Sequence, residues 1–228
     1  MPDPREVRSM FGRIAGRYDL LNRLLSAGID RRWRDRTVRR AGPLKGKRVI
    51  DACCGTGDLS LAFAAEGASV VGVDFTPEML RHAGPKASER RLAGLFVHGD
   101  AMKLPIATGS ADFCSVAFGV RNLADPDLGL RELARVLKPG GRLFVLEFSP
   151  PPPGLLGTLY RFYFLKVLPW IGGFISGDRE AYRYLPRTVS AWPEPEAFRR
   201  QLEAAGLRDC GYERLTFGIA SLHWGTRA

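Results

Sequence analysis

Cysteine and histidine are scarce, with four of one and three of the other in 228 residues. The cysteines, Cys53, Cys54, Cys114 and Cys210, form no C-x-x-C pair and have no close histidine, so neither a metal site nor a disulfide framework is expected. Small buried thiols in a reducing compartment fit this usage. Long uncharged apolar runs are missing too. The longest apolar stretch, 155–175, is broken by Gly157, Arg161, Lys166, Pro169, Gly172 and Gly173, whereas a spanning helix needs roughly 20 nearly uncharged residues. The opening Met1-Pro2-Asp3-Pro4-Arg5 lacks a secretory apolar core, so a cytoplasmic chain is expected. No internal repeat is visible, and the proline run 150–153 is a stiff spacer.

The charge is uneven. The chain holds 34 Lys/Arg against 24 Asp/Glu, and residues 1–48 alone hold 14 against 5. A basic segment of this kind suits nucleic acid, an anionic membrane surface or a solvated helix face. Residues 1–48 lack the interleaved aromatic and basic pattern of single-strand binders, and nucleic acid is not expected.

Hydrophobic periodicity predicts three opening helices at about 4–14, 17–25 and 31–41, ended by Gly42-Pro43. Strands at 47–51, 69–74, 95–98, 112–118 and 142–147 then alternate with helices at 59–66, from Pro77 and at 126–137. A last helix at 196–205 and strands at 207–213 and 217–224 close the chain. This alternation predicts an α/β fold, Rossmann-like, with a mostly parallel seven-stranded sheet, helices on both faces and an N-terminal helical segment. One domain over 1–228 is expected. It divides into a basic helical segment at 1–45, a cofactor-binding core at 46–149, an inserted lid or substrate region at 150–192 and closing elements at 193–228.

The sharpest local signal is Asp51-Ala52-Cys53-Cys54-Gly55-Thr56-Gly57-Asp58 at a strand-to-helix turn, where open α/β sheets bind ligands. Asp74 ends the next strand, placed to accept both hydroxyls of a ribose. A nicotinamide dinucleotide fits poorly, because Ser60 stands where its fingerprint needs a third glycine. Asp51, Asp58, Asp74 and Asp100 would also repel a pyrophosphate. S-adenosylmethionine, with a cationic ammonium and sulfonium and no phosphate, suits an acidic rim. The competing role for Asp51 and Asp58 is helix capping, and for Cys53 and Cys54 packing.

The blocks Tyr18-Asp19-Leu20-Leu21-Asn22, Phe118-Gly119-Val120-Arg121-Asn122 and Tyr182-Arg183-Tyr184-Leu185 occur in that order, joined by Gly99-Asp100-Ala101, Leu146-Glu147-Phe148-Ser149 and His223-Trp224-Gly225. In these blocks the chain as a whole resembles the ubiquinone/menaquinone biosynthesis C-methyltransferases. The Gly55-Thr56-Gly57 and Lys138-Pro139-Gly140-Gly141 turns are common to many methyltransferases. The resemblance implies cofactor contacts from Thr56, Asp74, Asp100 and Ala101. A further backbone contact is implied at Ala117, where the family often has serine. It also implies a reduced, polyprenylated quinol as acceptor; demethylmenaquinol is the one expected, and the benzoquinol step of ubiquinone synthesis stays open beside it.

Carbon methylation then needs the phenolic ring to become electron-rich. Arg121 is a poor base and is expected to stabilise the developing phenolate or orient a water, with Asn122 and Tyr18 holding that water or the quinol oxygen. Asp178, Tyr182 and His223 are further substrate candidates. The competing structural roles are an Arg121–Asp125 staple and a packed His223. The aromatics Tyr160, Phe162, Tyr163, Phe164, Trp170 and Phe174 offer a path for an isoprenoid tail. Arg31, Arg32, Arg36, Arg39 and Arg40 offer peripheral contact with the inner face of an anionic membrane. A homo-oligomer is compatible with the sequence, and the alternative activity is O- or N-methylation of another small molecule.

Overall fold

The computed structural model describes residues 3–150, 154, 157, 163 and 179–228. Three helices open the chain: α1 (Pro4–Ile14), α2 (Tyr18–Leu25) and α3 (Ile29–Ala41). Asp3 caps α1 by accepting the Arg5 N–H at 2.8 Å. The third helix begins two residues before its predicted start, because Gly28 at φ 74° makes the sharp entry there.

The sheet strands are β1 (Arg48–Ala52), β2 (Ser69–Asp74), β3 (Leu95–His98), β4 (Ala111–Ala117), β5 (Leu137–Phe148), β6 (Leu207–Leu215) and β7 (Ala220–Arg227). Their order is β3-β2-β1-β4-β5-β7-β6. β1 to β5 run parallel, and β7 is antiparallel to both β5 and β6. The expected α/β sheet is therefore present. The helices between the strands are α4 (Asp58–Ala65), α5 (Pro77–Glu89) and α6 (Pro126–Val136). The later ones are α7 (Arg179–Ser190) and α8 (Pro195–Ala204).

Two strands start three or more residues away from the sequence expectation. β5 starts at Leu137, which pairs with Ala111 before a bulge lets Arg142 pair with Phe113. The turn-forming Lys138-Pro139-Gly140-Gly141 is absorbed into that irregularity. β7 starts at Ala220, because Thr216, Phe217 and Gly218 all adopt left-handed backbone and turn the β6–β7 hairpin.

The period of two along the strands sorts the core onto both faces. Val49, Phe113, Phe144 and Leu146 pack with Trp33 and Val38 of α3 and Phe63 of α4. Ile50, Cys114, Leu143 and Val145 pack with Leu130 and Leu133 of α6 and Phe198 and Leu202 of α8. Burying large side chains completely is worth about 1.5–3 kcal/mol each, which fixes the register of the sheet. A third cluster joins Met10, Ile14 and Leu21 of the opening helices to Val189 of α7, with Tyr18, Tyr163 and Tyr184 against it. It forms a roof over the carboxyl ends of β1, β4 and β5. Most of the expected insert at 150–192 lies outside the described residues.

Candidate active site

β1 and β4 are neighbours whose connections leave toward opposite sides of the sheet, so a crevice opens at their carboxyl ends. The chain turns sharply at both. Cys53 (φ 51°) and Phe118 (φ 58°) hold left-handed backbone that side chains rarely adopt. Gly119 permits the two turns to approach, since a Cβ there would sit 2.4 Å from the Cβ of Cys53.

The crevice is a cleft whose envelope, open to solvent, is about 790 Å³. Gly55, Asp74, Asp100, Ala101 and Ala117 line it, with Tyr18 and Phe11 from the roof. Asp74 is locked in place, its carboxylate accepting the Gly55 and Thr76 N–H groups at 2.8 Å each. Burial nevertheless holds its pKa above the usual carboxylate value, so a hydroxyl donor would be welcome there. Asp100 accepts the Met102 N–H at 2.8 Å. No Lys or Arg is among the described lining residues. That donor set fits a cationic, phosphate-free ligand such as S-adenosylmethionine.

Three expected cofactor residues stand behind the wall. Asp51 is buried, and its oxygens are taken by Ser60 (2.5 Å) and Ser115 (2.6 Å). Burial raises its pKa to about 6. The Thr56 hydroxyl donates to Asp19 at 2.6 Å and accepts from Lys86 at 3.0 Å. Gly57 packs under Phe96, where a Cβ would meet the ring at 2.9 Å. Asp58, counted into the acidic rim from sequence, pairs with Lys86 at 2.9 Å and is neutralised. Lys86 also bonds Asp19, so the roof helix α2 is tied to the loop beneath it. The Cys53 and Cys54 thiols are pushed well above their usual pKa by burial, reinforced by Asp74 and Asp51, and remain protonated.

Beside the cleft lies a larger, mostly apolar chamber, about 1,500 Å³ when the solvent at its open mouth is included. Met10, Ile14, Ile29, Trp33, Phe148 and Ile219 give it apolar walls. Phe11, Tyr18 and Phe118 line both spaces and are the partition between them. The Phe118 ring is held 4.6 Å from that of Phe148, with the Arg34 guanidinium 5.7 Å from its centre.

The polar groups of the chamber converge near this partition. Arg121 donates to the Phe118 carbonyl (2.8 Å) and to Glu147 Oε1 (2.5 Å). Glu147 is wholly buried; desolvation raises its pKa while Arg121 opposes the rise. Arg121 Nε and Glu147 Oε2 are buried without hydrogen-bond partners among the described residues. Asn122 donates to the Phe118 carbonyl (3.2 Å) and accepts from the Tyr184 hydroxyl (3.0 Å). Burial raises the pKa of Tyr18, which stays a neutral phenol. Asp30 and Arg34 form a second buried pair on the wall, and Ser26 donates to Asp30 at 2.6 Å.

The sequence-derived trio Arg121, Asn122 and Tyr18 is thus brought together, and Tyr184 and Glu147 join it. The Arg121–Asp125 staple is replaced by Arg121–Glu147, because Asp125 instead caps α6 by accepting the Leu128 N–H at 2.9 Å. The structure does not bring His223 to either space. It lies in β7 under α8, its Nε2 bonded to the Pro195 carbonyl at 2.9 Å and its ring 4.8 Å from that of Phe198. Burial drops its pKa to about 4, so it stays neutral. Asp178 and the side chain of Tyr182 lie outside the described residues. Of the aromatics expected along the tail path, Tyr163 is described and lines the chamber. Two of the five expected membrane arginines are occupied: Arg36 grips Glu213 at 3.0 Å and Arg40 lies 3.6 Å over Trp224.

Comparison with known proteins adds to this geometry. The profile of the ubiE/COQ5 methyltransferase family matches residues 2–227. A demethylmenaquinone methyltransferase of Thermus thermophilus is 54% identical, covering 96% of this chain and 100% of the relative. One from Deinococcus radiodurans is 47% identical over 97% and 92% of the two chains. A ubiquinone/menaquinone biosynthesis C-methyltransferase UbiE of Syntrophotalea carbinolica is 47% identical over 98% and 95%. Among solved structures, a possible histamine N-methyltransferase of Thermotoga maritima superposes with a TM-score of 0.70 at 18% identity, over 96% and 99% of the chains. At that identity it shows the fold alone, that of S-adenosylmethionine-dependent methyltransferases.

Proposed function

Because this chain belongs to the ubiE/COQ5 methyltransferase family, we propose that it methylates a ring carbon of a reduced polyprenylated quinone, with demethylmenaquinol as acceptor. It is an S-adenosylmethionine-dependent C-methyltransferase of quinone biosynthesis. The observation that carries the reading is the pair of spaces meeting at Tyr18 and Phe118, one presenting the carboxylates of Asp74 and Asp100, the other larger and mostly apolar.

S-adenosylmethionine supplies an electrophilic methyl group on a positively charged sulfur that leaves readily. The residues of this chain must orient the ring, exclude water and manage charge. Asp74 and Asp100 hold the cofactor end, and the backbone at Gly55, Ala101 and Ala117 shapes its bed. Asp51, Thr56 and Gly57 keep that bed in place from behind. On the acceptor side the Arg121 Nε–H, without a hydrogen-bond partner among the described residues, is a donor for the phenolic oxygen as negative charge develops. Glu147 fixes the guanidinium without facing the chamber. Tyr18 and Asn122, the latter braced by Tyr184, hold the quinol oxygen or the water that takes its proton.

An acceptor with an isoprenoid tail resides in a bilayer. No helix among the described residues is long and apolar enough to cross one. The proposed acceptor is reached from the membrane surface, with the basic N-terminal segment toward anionic lipid.

The test is methyl transfer followed by mass spectrometry. Reduced demethylmenaquinone and the corresponding demethylated benzoquinol are offered separately in detergent with S-adenosylmethionine. A carbon-bound methyl is expected on the naphthoquinol. Methylation of the benzoquinol alone would overturn the choice of acceptor, and transfer only to oxygen would overturn the mechanism.

A further inference from the structure

Beyond the two spaces of the active site, a third, polar pocket opens on the surface between α2, α3 and α4. Arg23 from α2, Arg31 and Arg34 from α3, and Arg90 beyond α5 line it, against Asp35 and Asp58. Arg34 is committed to Asp30, and Arg90 approaches Asp58 at 3.8 Å. Arg23 and Arg31 make no ion pair among the described residues, and Arg23 Nε is buried without a hydrogen-bond partner. Four guanidinium groups against two carboxylates, one of them already shared with Lys86, leave this pocket a net attractor of anions.

Its neighbours on α2 are apolar and exposed. At about 100° per residue, Leu20, Arg23 and Leu24 share an arc of about 100° on that helix. Leu20 and Leu24 are each 53% exposed. Leu24 is also a wall of the acceptor chamber, as is Thr216 at the tip of the β6–β7 hairpin. The Trp33 indole holds that tip by donating to the Thr216 hydroxyl at 2.8 Å. The next residue, Phe217, is 79% exposed, the most exposed of the large apolar side chains described. Thr216 (φ 44°), Phe217 (φ 56°) and Gly218 (φ 88°) make three successive left-handed residues. A β-branched and an aromatic residue rarely adopt that backbone, so a phenyl ring is kept in water by an unfavourable conformation.

Exposed apolar side chains beside an apolar chamber, next to a pocket in which Arg23 and Arg31 make no ion pair among the described residues, are the two signals that together hold a protein on a lipid surface. We propose that the face formed by α2, the start of α3 and the β6–β7 hairpin tip is the membrane-docking surface. Leu20, Leu24 and Phe217 enter the acyl boundary, and the phosphate of an anionic phospholipid is seated between Arg23 and Arg31. The inference rests on the polyprenylated acceptor proposed above. The chamber mouth then faces the bilayer, and the quinol ring enters while its tail remains in lipid.

The experiment is co-sedimentation with vesicles of phosphatidylcholine alone and of phosphatidylcholine mixed with phosphatidylglycerol. It compares wild type with two double variants, Arg23→Gln/Arg31→Gln and Leu20→Ser/Phe217→Ser. All four positions lie outside the cofactor cleft and the acceptor chamber, and melting temperatures check that the variants are folded. Wild type is expected to bind the phosphatidylglycerol vesicles more tightly. The arginine variant should lose affinity for them by roughly 30-fold, at about fivefold per arginine near the surface. The apolar variant should lose at least about tenfold on both vesicle types. Both should still methylate a tail-less demethylated naphthoquinol in buffer. No binding by wild type, or unchanged binding by both variants, overturns the docking surface. So does a change from dimer to monomer in light scattering with vesicle binding intact, which would make this face a contact between copies. If wild type binds vesicles as expected but methylates no naphthoquinol, the docking surface stands and the acceptor assignment falls.

Discussion

Arg121→Met is the substitution whose cost follows most directly from the structure. The Arg121 side chain is 6% exposed and that of Glu147 is fully buried, with 2.5 Å between them. Glu147 also accepts the Phe148 N–H at 2.9 Å, so it cannot swing out when its partner is lost. Removing one member of a buried pair costs about 3–5 kcal/mol, because the other charge is left without compensation. In a chain of this size that corresponds to a fall in Tm of roughly 6–20 °C. The loss has a definite pH dependence. Burial already raises the Glu147 pKa against the pull of Arg121, and without Arg121 nothing opposes the rise. A group whose folded pKa lies above its unfolded value contributes stability below the unfolded value, about 4.3 for glutamate, and loses it as pH rises through the folded value. The deficit of Arg121→Met relative to wild type should therefore be small near pH 5 and full by pH 8. Glu147→Gln removes the titrating group, so its own stability should carry none of this pH dependence, and its deficit relative to wild type should shrink as pH rises. The double variant should recover part of either loss, and calorimetry or thermal melts across pH 5–8 measure all three. A deficit below about 1 kcal/mol at pH 8, or one that ignores pH, would refute the buried pair.

Three other outcomes follow from the site. Asp74→Asn should weaken S-adenosylmethionine binding by about 10–100-fold in titration calorimetry, the scale of a charged hydrogen bond, and an unchanged Kd would remove Asp74 from the cofactor site. Tyr184→Phe removes the hydroxyl that holds Asn122. It should lower kcat by roughly fivefold with little change in cofactor affinity, at about 1 kcal/mol for a neutral hydrogen bond. Cys53 and Cys54, protonated and surrounded by carboxylates, should react with iodoacetamide far more slowly in the native protein at pH 8 than after unfolding. Rapid native alkylation of either would contradict their environment.

Where periodicity and turn chemistry were strong, the sequence already carried the architecture. The run Val49-Ile50-Asp51 reads as a strand because neighbouring apolar residues are needed on both faces, and the two residues do enter opposite clusters. Boundaries failed where tertiary pairing overrode local signals. The Lys138-Pro139-Gly140-Gly141 turn looks like a stop, yet Leu137 is drawn into the sheet by Ala111. In the site, Arg121, Asn122 and Tyr18 were legible because each sits in a distinctive block. Glu147 was not singled out, because a carboxylate at the end of a strand reads as another exposed charge until a guanidinium from a different segment is seen against it. Lys86 and Asp19 escaped for the same reason: 67 residues separate them in sequence, and only the descent of α2 onto α5 makes them partners.

The shared partition between cleft and chamber limits how such an enzyme can be redesigned. Phe11, Tyr18 and Phe118 touch both spaces, so changing any of them to admit a different ring also disturbs the fit of the methyl donor. Ser26, Ala27, Ile29 and Ile219 border the chamber alone. Acceptor range can drift at those four positions while cofactor affinity is conserved. A library built to accept new aromatic rings belongs there, with the partition left intact.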